Sequence, residues 1–144
     1  MRSADCSTRR GGSHESGDRG PAAILLVDHG SRLAEANAQL EEIAAHVRTR
    51  EPDRIVQIAH MELARPSISD GIAACVAAGA RAFVVHPFLL APGRHGSHDI
   101  PQRVGEIADR HPGVDIRVSD PLGAHEKLVD VILQRVAEAE RDGA

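Results

Sequence analysis

Short continuous apolar runs alternate along this chain with stretches whose apolar positions recur at helical spacing. Residues 22–28 form the first run, as expected of a strand buried on both faces. Leu33, Leu40, Ile43 and Val47 then make the inward stripe of a helix over 33–50. Glu51-Pro52-Asp53 ends that helix, because proline disfavours the α region in the residue before it. Residues 55–60 read as the second strand. Pro66 fits the first turn of a second helix, whose buried face is Ile68, Ile72, Cys75 and Val76. Gly79 is placed to close it in the left-handed conformation. Residues 81–86 read as the third strand, 88–98 as a loop rich in Pro and Gly, and 115–118 as the fourth strand. A third helix starts near Asp99, its N-cap, with Pro101 in the first turn, and ends near His111-Pro112-Gly113. A fourth runs from about His125 to Arg141, with Leu128, Ile132 and Val136 inward. This βαβαβαβα order predicts an α/β fold: a single domain with a four-stranded parallel sheet of order 2-1-3-4 flanked by helices.

The 144 residues suffice for one core. Residues 1–20 hold Ser, Gly, Arg and Asp with almost nothing apolar, and read as a solvated, disordered tail ahead of a domain over 21–144. The tail lacks the apolar region of a secretory signal, so a cytoplasmic protein is expected. No apolar run approaches the roughly 20 residues of a membrane span, and no membrane partner is expected. A formal charge of -4 without a basic stripe, and Phe83 and Phe88 as the only aromatics, argue against nucleic-acid partners. Cys6 and Cys75 form no CxxC, which argues against a thiolate zinc site, and Cys75 reads as a core residue.

Candidate chemistry gathers where the strands end. His29 follows the first strand, Glu62 the second, and His86 the third, with His95 in the glycine-bounded loop beyond it. In an open parallel sheet the carboxyl ends of the strands face one crevice, where ligands bind. Imidazoles meeting a carboxylate there suggest a divalent-metal site of borderline softness. In the turn His29-Gly30-Ser31-Arg32, Gly30 permits a close approach, Ser31 can cap the helix or bind an anion, and Arg32 can fork onto a carboxylate. Taken alone, that tetrapeptide is equally an ordinary turn with a capping Ser. Glu62 can be a metal ligand, a proton acceptor, or a surface carboxylate paired with Arg65. His60 reads as structural. Phe88-Leu89-Leu90 can floor a flat apolar ligand, and His98 and His125 stand close to helix starts.

Taken together, the HGSR turn, Glu62-x-x-x-Pro66-Ser67-Ile68, Pro87-Phe88-Leu89-Leu90, Gly93-x-His95-x-x-x-Asp99-Ile100-Pro101 and Pro121-Leu122-Gly123-x-His125 are specific. On these motifs the chain resembles, over roughly 22–140, the short form of the CbiX-type sirohydrochlorin chelatases, class II chelatases of cobalamin and siroheme synthesis. The resemblance implies insertion of a divalent metal into a tetrapyrrole with release of two protons. It implies that His29 and His95 hold the metal with Glu62 as the acidic group, and that His29 or Glu62 accepts the protons. The metal (Co²⁺, Fe²⁺ or Ni²⁺) is a substrate, with Co²⁺ favoured, and no organic cofactor is expected. Ser31, Arg32, Phe88, Leu89 and Arg94 are the candidates for holding the sirohydrochlorin.

Long members of the class contain two such lobes, so the resemblance implies a homodimer of this chelatase-like half. Asp28, before His29, departs from the small residue expected there, and can orient that histidine or merely cap the turn. His98 is a second departure, and it leaves the ligand set open. Two other readings compete. One is a non-catalytic metal-binding or tetrapyrrole-carrier protein on the same fold. The other is a binding module that uses the HGSR turn for a phosphate.

Overall fold

The computed structural model describes residues 20–91 and 96–143. The tail expected over 1–20 lies outside the described residues apart from Gly20. The elements run β1 (Ala23–Asp28), α1 (Ala34–Arg50), β2 (Ile55–His60), α2 (Ile68–Ala77), β3 (Ala82–Pro87), α3 (Gly96–Ala108), β4 (Asp115–Val118) and α4 (Glu126–Asp142). The four strands form one parallel sheet of order β2-β1-β3-β4. This is the expected topology.

The central strand explains the unbroken apolar run at its start. Ala23, Leu25 and Val27 face a core shared with Ile68, Ile72 and Cys75 of α2 and with Ile100 and Val104 of α3. Leu26 faces the opposite way, into a second core with Leu40 and Ala44 of α1 and Val56 of β2. Side chains alternate across a strand, so a strand covered on both faces must be apolar at every position. Cys75 is fully buried, as expected, and burial pushes its thiol up to about 11.

Helix boundaries depart from the sequence pattern at three places. Leu33 is not part of the α1 stripe. It is the N-cap, with extended backbone, and is 70% exposed. Pro66 stands before α2, not in its first turn. Ser67 is the N-cap and Asp70 completes a reciprocal capping box, which satisfies two backbone donors at once. Hydrogen bonding to the Asp70 carboxyl from the Ser67 backbone N–H and side chain holds it below the usual carboxylate range. α3 begins at Gly96, three residues earlier than the expected cap, so Asp99 lies in its first turn and Pro101 inside the helix. Proline near a helix start marks the neighbourhood of the start without fixing its first residue. Gly79 follows the α2 cap at φ +101°, as expected for a helix-closing glycine.

The largest departure is α4. Leu128, Ile132 and Val136 do recur at helical spacing, yet no residue of the helix is buried. Ile132 is 59% exposed, and Val129, Leu133 and Val136 are exposed beside it. An amphipathic period shows that a helix has an apolar face but not which surface covers it, and the described residues leave this one exposed. No helix of the described residues is long and apolar enough to cross a membrane.

Candidate metal centre

The ladder between β1 and β2 ends at the pair Asp28–His60. Backbone bonds continue past it. The Met61 N–H donates to the Asp28 carbonyl at 2.9 Å, and the Glu62 N–H to the His29 carbonyl at 3.2 Å. The two segments therefore leave the sheet side by side, and their side chains face each other. His29 Nε2 and Glu62 Oε1 lie 3.6 Å apart, and both side chains are largely exposed.

That separation is too long for a hydrogen bond. It suits two ligands of one ion. Ligands each about 2.1 Å from a metal stand about 3.4 Å apart at a tetrahedral angle. An imidazole nitrogen and a carboxylate oxygen match borderline divalent ions such as Co²⁺, Fe²⁺ and Ni²⁺. Among the described residues the ion-pair neighbour of Glu62 is His29 rather than Arg65.

Gly30 makes this approach possible. Its φ is +88°, and a Cβ built there would stand 1.9 Å from the Glu62 carbonyl oxygen. Behind it the turn is held by side chains. The Ser31 N–H donates to Asn37 Oδ1 at 2.9 Å, and Asn37 Nδ2 donates back to the Ser31 carbonyl at 2.7 Å. Ser31 Oγ accepts from the Leu33 N–H at 3.0 Å. Ser31 therefore shapes the turn ahead of α1, while Leu33 takes the cap position. Arg32 is exposed.

Asp28 does not orient His29. Its carboxylate Oδ1 meets Nδ1 of His60 at 2.5 Å, with His60 almost wholly buried. His86 is likewise engaged. Its Nδ1 lies 2.7 Å from Ser119 Oγ, whose hydroxyl donates to the Asp120 carbonyl at 3.0 Å. This bond ties the His86 ring to the residue that follows β4. Burial holds this imidazole below the usual histidine value. His86 pairs in register with Leu26, inside the sheet and short of the crest that carries His29. His125 caps α4, with Nδ1 accepting from the Lys127 N–H at 3.1 Å.

The expected apolar floor divides. Phe88 packs with the α1-side core and Leu89 with the opposite one, leaving Leu90 65% exposed. Leu90 and Ala91 border an apolar cleft of about 440 Å³, closed on its other side by Gly123, Ala124 and the start of α4. Arg94 and His95 lie outside the described residues. Among the described residues no third His, Cys, Asp or Glu joins His29 and Glu62 in a metal-holding group.

Sequence reasoning missed Asn37, Ser119 and the Asp28–His60 pair as structural partners of this crest. The last had a signal, since two polar residues closing two adjacent apolar strands fall opposite each other. Asn37 had none, because a polar residue early in a helix is ordinarily solvated.

Comparison with known proteins identifies the family. The family model described as CbiX matches residues 23–139. The chain is 44% identical over 113 residues to the sirohydrochlorin ferrochelatase, chloroplastic, of Arabidopsis thaliana, covering 78% of this chain and 50% of that protein. It is 31% identical over 137 residues to the sirohydrochlorin cobaltochelatase of Methanocaldococcus jannaschii, covering 78% of this chain and 96% of that protein. Among solved structures, it is similar to the sirohydrochlorin chelatase SirB of Bacillus subtilis subspecies spizizenii in complex with cobalt. There the TM-score is 0.76 at 32% identity, over 82% of this chain and 50% of that one. The chain thus spans about half the length of the plant relative and nearly the whole of the archaeal one.

Proposed function

The chain belongs to the CbiX family, and from that premise we propose that it is a sirohydrochlorin chelatase whose metal enters between His29 and Glu62. The observation that carries this reading is the 3.6 Å gap between an imidazole nitrogen and a carboxylate oxygen at the carboxyl edge of a parallel sheet. His95, from the segment between β3 and α3, is the proposed third ligand.

The metal, Co²⁺, Fe²⁺ or Ni²⁺, is a substrate. Imidazole and carboxylate hold such ions without the firmness of a thiolate set, so the ion can pass to the four ring nitrogens. As those bonds form, two pyrrole N–H protons leave, and His29 or Glu62 is the acceptor. Holding ion and ring face to face removes much of the entropic barrier. Arg32 and Arg94 are the proposed partners of the sirohydrochlorin carboxylates, and Ser31 offers polar contact at the turn. Leu90 and the cleft beside it take the apolar part that Phe88 and Leu89, drawn into the cores, supply only in part.

The test is anaerobic incubation of the protein with sirohydrochlorin and each metal in turn, following the change in macrocycle absorption. Acceleration over the enzyme-free rate is expected with at least one metal. Metal binding without acceleration would replace this reading with a carrier.

A second copy of the chain is the proposed occupant of the apolar face of α4. In the family, a lobe of this size occurs both within a chain of about twice its length and by itself. A contiguous exposed apolar face is the usual mark of an interface. Sedimentation at micromolar concentration should give a dimer, and Ile132→Glu should shift it to monomer. A wild-type monomer would overturn the dimer.

A further inference from the structure

The crest chemistry uses His29 and Glu62, yet directly beneath them lies a second imidazole–carboxylate pair that the proposed reaction does not touch. Asp28 and His60 are the last register partners of β1 and β2. Each precedes a crest residue closely: Asp28 by one position, His60 by two. Partners in a parallel ladder share a face, and alternation puts this pair on the side of Leu26 and Ile58, toward α1. His60 is 1% exposed, and the Asp28 side chain is mostly covered. The turn that carries His29 lies over them. A Cβ at Gly30 would stand 3.2 Å from the Cβ of His60.

A polar pair at this place needs a reason. Two apolar residues of similar size would fill the same space without the desolvation cost of a carboxylate and an imidazole. What apolar packing does not supply is a directional bond across the strands. Here that bond runs from His60 Nδ1 to Asp28 Oδ1, at the point where the ladder ends. The chain beyond His60 is also tied from the far side, where Arg103 of α3 donates to the Met61 carbonyl at 2.6 Å. The backbone that carries Glu62 is therefore held between β1 and α3. Its distance from His29 is set by the strand ends.

We propose that Asp28 and His60 are positioning residues for the metal site, a buried clasp that sets the span between His29 and Glu62. The inference rests on the chelatase reading for the identity of the site. It adds that the spacing of the ligands is imposed by a pair that never meets the ion. Without the clasp the two segments remain joined by backbone bonds, but the rotation of the β2 end relative to the turn is no longer fixed. The ion is then held with altered geometry and lower affinity.

The experiment is a Co²⁺ titration of the full chain without tetrapyrrole, reading the visible ligand-field absorption, whose intensity and position report the geometry at cobalt. His60→Ala is expected to raise the Co²⁺ Kd about 10-fold, the lower end of what loss of an indirect ligand partner costs, and to change the shape of the spectrum. His60→Asn, which returns an N–H donor near the position of Nδ1, should restore both toward wild type. Should His60→Ala fail to fold, Asp28→Asn decides. It keeps the shape and replaces a charge-assisted bond by a weaker neutral one, so a smaller rise with the same spectral change is expected. Folded His60→Ala, or folded Asp28→Asn in its place, with wild-type Kd and spectrum would overturn the clasp alone. A wild-type protein that binds no Co²⁺ would overturn the site reading and the clasp with it.

Discussion

Gly30→Ala should cripple both the fold and the site. At φ +88° an L side chain costs about 1–2 kcal/mol in the backbone alone. The added methyl would also stand 1.9 Å from the Glu62 carbonyl oxygen, and that neighbour is backbone, with no flexible side chain to swing away. Relief requires the β1–α1 turn and the segment after β2 to separate, at a packing cost of about 1–3 kcal/mol. The unfolding free energy should therefore fall by about 2–5 kcal/mol, measured as a lower urea midpoint. The separation also widens the gap between His29 and Glu62. A displacement of about 1 Å in a positioned reactive group can lower a rate about 100-fold, and a loss of that size in metal insertion is expected. A wild-type urea midpoint together with a wild-type rate would show that the turn accommodates the methyl, and would remove close approach as the basis of the site.

His29→Ala should leave stability nearly unchanged and cost activity at least as much. The His29 side chain is 60% exposed, and among the described residues its recorded partner is Glu62 across 3.6 Å. Removing an exposed side chain of this kind changes stability by no more than about 0.5 kcal/mol. Losing a metal-holding imidazole should cost more than the roughly 100-fold that loss of an indirect partner can cost. Insertion is therefore expected to fall more than about 100-fold, with an unchanged unfolding transition. The two variants together separate scaffold from chemistry, since Gly30→Ala moves both readouts and His29→Ala only one. Wild-type turnover by His29→Ala would end the assignment of this histidine.

The proposed site is legible in part from sequence. His29 and Glu62 were marked because each follows an apolar run long enough to be a strand, and parallel strands deliver such residues to one edge. His86 satisfied the same pattern and proved to be elsewhere. Its strand extends one residue further, to Pro87, and His86 pairs with Leu26, two positions before the end of β1. A register difference of that size is invisible in an apolar run, because neighbouring apolar positions of a central strand look alike. Orienting His29 was one of two roles open to Asp28, but successive side chains point to opposite faces of a strand. Its partner had to come from the adjacent strand, 32 residues away.

What the sequence by itself determined is the alternation of strands and helices and, from it, the parallel sheet of order β2-β1-β3-β4. Local periodicity carries that information, because a strand buried on both faces and an amphipathic helix leave different spacings of apolar residues. Only the tertiary structure decided which polar groups meet. The pairs His29–Glu62, Asp28–His60 and His86–Ser119 each join residues about thirty positions apart. Such contacts depend on register and on how far each segment runs past the sheet. The same holds for α4, whose apolar stripe was plain in the sequence but whose exposure among the described residues was not. Periodicity specifies a face, and only packing specifies what lies against it.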